Sequence, residues 1–179
     1  MTESTPVFGR LAGDPRPLPP NAVGRAAPGL TVRIVRPDGS DCADGEQGEI
    51  LVRAAATMKR YLKAPEQTAA AFAGDLFRTG DLGHRDADGN FFITGRIKDI
   101  IIRGGANISP SEVEEALATH PAVQDAAVIG APDRTFGEVP VAFVVLRPGA
   151  AASAAALEDH AARTLSDFKV PRRYVFETV

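Results

Sequence analysis

The sequence predicts an α+β protein in two parts, a β-rich first part and a smaller mixed second part, and three observations predict it. Between residues 30 and 95 short apolar stretches alternate in twos and are separated by Asp-Gly turns at 38–39 and 88–89. After Arg96 the rhythm changes, and a helix start is written at Ser109-Pro110 with Glu112 three residues past the serine. From there the order of elements reads β-α-β-β-α-β, a small mixed domain.

Taken in order, residues 1–29 are rich in Pro and Gly and carry little period. "LTVRIV" (30–35) alternates as a strand, "RPDGSD" (36–41) is turn chemistry, and "GEILVRA" (48–54) is the returning strand. "APEQTAAAF" (64–72) is a short helix with Pro65 in its first turn, where a missing N–H costs nothing. "HRDADGNFFIT" (84–94) is a hairpin, and "DIIIR" (99–103) opens the second part as a strand. "SPSEVEEALATHP" (109–121) is a capped helix with Val113, Ala116 and Leu117 as its apolar stripe, ended by Pro121. "VQDAAVIG" (123–130) and "VPVAFVVL" (139–146) are strands. "SAAALEDHAARTLSDF" (153–168) is a second helix with Leu157, Ala161 and Leu165 on one face, and "RRYVFETV" (172–179) begins another strand. The shift in composition places a boundary near residues 96–99, giving domains 1–97 and 98–179.

Composition bounds the function. The 20 Lys+Arg against 23 Asp+Glu leave a net charge of −3, so bulk charge favours neither nucleic acid nor an anionic membrane. The single Cys42 excludes an internal disulfide and a Cys-rich metal site. No stretch approaches the ~20 apolar residues of a membrane helix, and the first residues lack a signal peptide's basic start and apolar core. A cytoplasmic protein without a membrane span is the expectation.

Several motifs carry chemistry. In "FRTGDLG" (77–83), Asp81 follows Thr79-Gly80; a carboxylate held there either bonds its own turn or accepts two hydroxyls, such as those of a ribose. Arg96, in "GR", either reaches the same ligand or pairs with Asp81 or Asp99 at the surface. In "RGGANISP" (103–110), Gly104 and Gly105 permit φ > 0 and close approach of a ligand, or simply make a turn between strand and helix. Thr2 and Glu3 offer a hydroxyl and a carboxylate, or are a frayed terminus. His84, His120 and His160 have no ligand spacing, and Glu114-Glu115 reads as a solvated face.

As an ordered set, "TES … VGRAAPG … GEILVR … YLKAPEQTAAAF … FRTGDLG … DGNFFITGRIKDIIIRGGANISPSEVEEAL … HPAVQDAAVIGAPD … GEVPVAFVV … LSDFKVP" resembles the second part of the AMP-forming acyl-CoA synthetases, in the adenylate-forming superfamily. The resemblance runs over nearly the whole chain. It implies a distorted, barrel-like β subdomain belonging to a large AMP-binding domain, then a small mobile C-terminal domain with a three-stranded sheet and flanking helices. It implies ligation of a small carboxylic acid to coenzyme A through an acyl-adenylate, with ATP/AMP and Mg²⁺. By position it gives Thr2 a phosphate or substrate contact, Glu3 the Mg²⁺, Asp81 and Arg96 the ribose, Lys98 the hinge, and Gly104-Gly105 the pantetheine channel.

Relatives carry a Ser/Thr/Gly-rich phosphate loop upstream and a Pro-x-x-x-x-Gly-Lys segment downstream, and neither stands in these 179 residues. The expectation is therefore a piece of an enzyme, inactive alone, whose partner is its missing N-terminal part or a second copy. Two other readings stay open. One is a non-catalytic truncated module that docks to a partner. The other is an amino-acid adenylation domain serving a carrier protein, against which "RGGANISPSEVEEAL" speaks because it lacks that class's Arg-Ile-Glu run.

Overall fold

The computed structural model describes residues 3–4, 7–10 and 12–177. Thr2 lies outside the described residues. The chain divides into two compact units, Met1–Ile97 and Lys98–Val179.

In the first unit β1 (Phe8–Gly9) pairs with β2 (Arg25–Ala26). Strands β3 (Thr31–Val35), β4 (Gly48–Arg53), β5 (Phe72–Ala73), β6 (Leu76–Arg85) and β7 (Phe91–Arg96) form an antiparallel sheet of five. Helix α1 (Pro65–Ala70) precedes β5 and stops two residues before the predicted end. The period of two divides the strands between two apolar clusters. Ile34, Ile50, Val52 and Phe91 form one cluster, with Val7, Phe8, Val23 and Ala26 packed on it. Val35, Leu51 and Leu76 form the other. Each such side chain contributes about 1.5–3 kcal/mol on burial.

Backbone bonds extend the sheet past β7. The Val23 amide donates to Phe91 O (2.9 Å) and the Phe91 amide to Gly24 O (2.8 Å), so Phe91 is held on both edges. The Phe8 ring lies 4.7 Å from that of Phe91. The sheet therefore curls over the Ile50–Val52–Phe91 cluster, the barrel-like distortion that the resemblance implied.

In the second unit, β8 (Ile101–Arg103) and β9 (Ala106–Ile108) form a hairpin that leads into α2 (Pro110–Ala118). Strands β10 (Val123–Asp133) and β11 (Gly137–Leu146) pair antiparallel. Helix α3 (Ala154–Ala161) then carries the chain to β12 (Arg173–Glu177), which runs parallel to β11. A parallel pair needs such a crossover. Val113, Ala116 and Leu117 of α2 and Leu157 and Ala161 of α3 are buried against Val123, Val128, Ala142 and Val144 of the sheet.

Five local expectations differ from the structure. The sheet has five strands, not three: β10, β11 and β12 are the long ones, and β8–β9 joins β11 through the single pair Gly137–Arg103. Residues 103–108 are thus a hairpin and not a turn from strand to helix. The second helix ends at Ala161, where the chain passes into turns with the tighter i to i−3 bonds of Arg163 to His160 O and Thr164 to Ala161 O (both 3.2 Å). Ser109 stands at the N-cap of α2 without a side-chain cap bond, sharing its hydroxyl with Ser111 (2.9 Å). Its expected partner Glu112 is instead taken by Lys169 Nζ at 2.6 and 2.7 Å. Glu114 is not a solvated residue either, since it accepts the amide of Val128 (2.8 Å) from β10, an outer strand of the sheet.

Tyr174 packs against this core with its hydroxyl buried and, among the described residues, without a hydrogen-bond partner. Burial, with a smaller contribution from Glu158, pushes the phenol up to about 12. The neutral form therefore supports the fold fully below pH 10, and that support is lost as pH rises toward about 12. Tyr174→Phe removes an unsatisfied polar atom at no loss of packing. Denaturant titrations across alkaline pH should find it at least as stable as the parent at neutral pH and less sensitive in that window.

Candidate functional site

Strands β4 and β6 do not match in length where they pair. Leu51 faces Arg78 and Glu49 faces Leu82, so Ile50 alone stands against Thr79, Gly80 and Asp81. The two extra residues form a bulge, a device that redirects a side chain out of the ladder. Gly80 absorbs the bend at φ +71°, where a residue with a Cβ is strained, although the space beside it is open. Thr79 satisfies the backbone groups that the bulge leaves over. Its hydroxyl donates to Ile50 O (2.7 Å) and accepts the Asp81 amide (3.0 Å).

Asp81 is thereby set opposite Arg96 on β7, the facing residue in the register. Arg96 Nε lies 2.9 Å from Asp81 Oδ1, with the side chains 50% and 26% exposed. A pair of that exposure contributes only about 0–1 kcal/mol. Its carboxylate keeps acceptor capacity for other donors. Asp81 and Thr79 line a cavity of about 180 Å³ whose other walls are Val7, Phe8, Ile50, Val52 and Ile93. An apolar wall with one carboxylate at hand suits a flat ring carrying hydroxyls.

The remaining predicted residues fall elsewhere. Glu3 is half-buried and is not part of the cavity wall. Its carbonyl accepts the Met58 amide (2.7 Å) and Ser4 bonds Thr57 (3.3 Å), so this stretch is tied down and not a frayed end. Among the described residues no three His, Cys, Asp or Glu side chains gather as a metal site. Lys98 is exposed in the 3-10 turn Ile97–Asp99, and the division between the two units falls just before it. Gly104 and Gly105 are the two loop residues of the β8–β9 hairpin, at φ +57° and +86°, the mirror-image turn that tight hairpins favour.

Two residues that sequence reasoning passed over matter to these positions. Thr79 was legible only as part of a turn, because a bulge has no composition of its own. Arg103 is the one charged residue buried among the described ones. It donates to Phe168 O and lies 4.9 Å from the centre of the Phe136 ring, fixing the base of the Gly104-Gly105 turn. Of the histidines, His84 stacks on Phe92, and His120 and His160 meet edge to face at 5.0 Å.

Comparison with known proteins places the chain in a class. The model of the AMP-binding enzymes matches residues 1–62, and that of the AMP-binding enzyme C-terminal domain matches 112–178. Sulfoacetate–CoA ligase of Cupriavidus necator is 44% identical over 178 residues, 98% of this chain and 35% of that protein. Long-chain-fatty-acid–CoA ligase of Bacillus subtilis is 44% identical over 158 residues, 88% of this chain and 28% of that protein. The crystal structure of ATP-bound MatB from Rhodopseudomonas palustris superposes with a TM-score of 0.91 at 37% identity, covering 99% of this chain and 35% of that one. The chain belongs to the AMP-binding, adenylate-forming enzymes, and the two curated relatives named are CoA ligases. It spans about a third of the length of the curated relatives it matches.

The bulge makes a prediction of its own. Thr79→Val deletes both hydroxyl bonds and leaves a part-buried amide and carbonyl to find new partners, at about 1 kcal/mol or more. Denaturant unfolding should show that loss. Amide exchange should show the Asp81 N–H unprotected, and Thr79→Ser should restore both.

Proposed function

We propose that this chain is the ribose-holding and lid-bearing part of an ATP-dependent acyl-CoA ligase. The whole enzyme would join a carboxylic acid to AMP with release of pyrophosphate, then pass the acyl group to the thiol of coenzyme A with release of AMP. The observation that carries the reading is the Asp81–Arg96 pair, presented by a bulge beside an apolar cavity, in a chain whose relatives are CoA ligases.

In this reading Asp81 accepts the 2′ and 3′ hydroxyls of the ribose. Arg96 orients that carboxylate, and the weakness of their exposed pair lets the hydroxyls compete for its oxygens. The adenine lies against the apolar wall of Val7, Phe8 and Ile93. Thr2 contacts phosphate. Glu3 supplies one carboxylate toward Mg²⁺, an ion that needs few protein ligands when substrate phosphates supply the rest. Lys98 is the hinge residue between 1–97 and a mobile 98–179, since a few residues between rigid elements suffice to absorb such a change. The Gly104-Gly105 turn offers bare backbone to the pantetheine chain in the second step.

Calorimetry with AMP tests the site. Asp81→Ala should weaken binding tenfold or more, because two hydrogen bonds to a charged acceptor are lost. In the complete ligase it should raise the KM for ATP to the same extent. Unchanged affinity and unchanged KM would remove Asp81 from the site. The hinge is tested separately in the complete ligase: Lys98→Pro fixes φ and should slow thioester formation more than adenylation. Equal loss in both steps counts against it.

A further inference from the structure

The loop that precedes α1 has a character that the nucleotide reading does not use. Residues 59–63, Lys-Arg-Tyr-Leu-Lys, are all exposed, and Leu62 at 83% is the most exposed large apolar side chain among the described residues. Lys59, Arg60 and Lys63 have no ion-pair partner among the described residues. Elsewhere in this unit Arg33, Arg36, Arg53, Arg78 and Arg85 are each matched to a carboxylate. The loop thus concentrates three unmatched cations around a projecting leucine in a chain of net charge −3.

The loop is also held in shape. The Ala64 amide bonds Tyr61 O (3.5 Å), and Thr68 Oγ1 accepts the Tyr61 amide (3.0 Å) while donating to Ala64 O (2.8 Å). Leu62 and Lys63 are the two central residues of that turn. Lys63 sits at φ +55°, where such turns ask for Gly or Asn. Strain of this kind persists where the surroundings enforce it and clusters at functional positions. Here it presents the leucine outward with cations on both sides.

We propose that residues 59–63 form a peripheral docking tip for an anionic lipid surface, with Leu62 entering the interface, Tyr61 at headgroup level, and Lys59, Arg60 and Lys63 on the lipid phosphates. Basic residues around an apolar anchor are the chemistry of such contacts. A stable protein partner fits less well, since it requires roughly 800 Å² from each side and this tip is five residues long. The proposal is independent of the nucleotide site.

Vesicle flotation of this chain tests it, with phosphatidylglycerol and phosphatidylcholine in equal parts against phosphatidylcholine alone. Binding should require the anionic lipid and fall with salt. It should drop about fivefold for each of Lys59→Ala, Arg60→Ala and Lys63→Ala, and about tenfold for Leu62→Ala. Ile129→Ser, which removes an exposed apolar side chain of the other unit, should change nothing, and circular dichroism confirms that each variant is folded. No binding to anionic vesicles overturns the proposal. So does binding that Leu62→Ala leaves intact, which marks a general polyanion contact, or binding that Ile129→Ser reduces equally, which marks non-specific apolar adsorption.

Discussion

Strand β6 has two residues more than β4 can match, and the candidate site depends on that excess. Had Thr79-Gly80-Asp81 stayed in register, Asp81 would be one more alternating side chain of a pleated ladder. The bulge also divides the other edge of β6, where β5 takes Leu76 and Phe77 and β7 takes Asp81 through Arg85. Through β7 it positions Phe91, which joins the core cluster and carries the bridge to Gly24. The feature that aims the carboxylate is thus the same one that lets the sheet curl.

What could be read in the sequence follows from the range of the interactions responsible. Turns written by Asp-Gly pairs, strands written by alternation and helices written by Pro at the first position are local, and they appear where residues 38–39, 88–89, 65 and 110 place them. Asp81 and Arg96 were legible as candidates because their motifs are short. Their pairing was open in the sequence because it needs the register of two strands. The β8–β9 hairpin was missed because "RGGANI" holds too few residues on each side to show a period. Glu112 and Glu114 were misread for a related reason: Lys169 and the Val128 amide lie 57 and 14 positions away and claim both carboxylates.

Two glycine-dependent features, at Gly80 and at Gly104-Gly105, contrast in how they are supported. Gly80 bends a strand without ending it, and the threonine beside it closes the bonds left open. Gly104 and Gly105 reverse the chain outright, and the support comes from outside the turn, from Arg103 on Phe168 O and from the Gly104 amide on Phe136 O (2.8 Å). Burying a guanidinium costs free energy unless it is bonded, so a residue placed at that cost marks a loop whose shape is constrained. Both glycine features expose backbone, yet each is anchored by one specific side chain.

The geometry of Asp81 and Arg96 sets a limit on how tightly the pair holds itself. A fully buried ion pair would be rigid, and a ligand that broke it would strand a charge at a cost of several kcal/mol. At 26% and 50% exposure the pair is screened, and exchanging one partner for hydroxyl donors is close to neutral. What surrounds the carboxylate, the apolar wall and the bulge, is the less adjustable part of this geometry. Arg96 ends β7, and the next residue opens the 3-10 turn at which the units divide. The residue that pairs with the carboxylate is therefore separated in sequence by Ile97 alone from the division between the units.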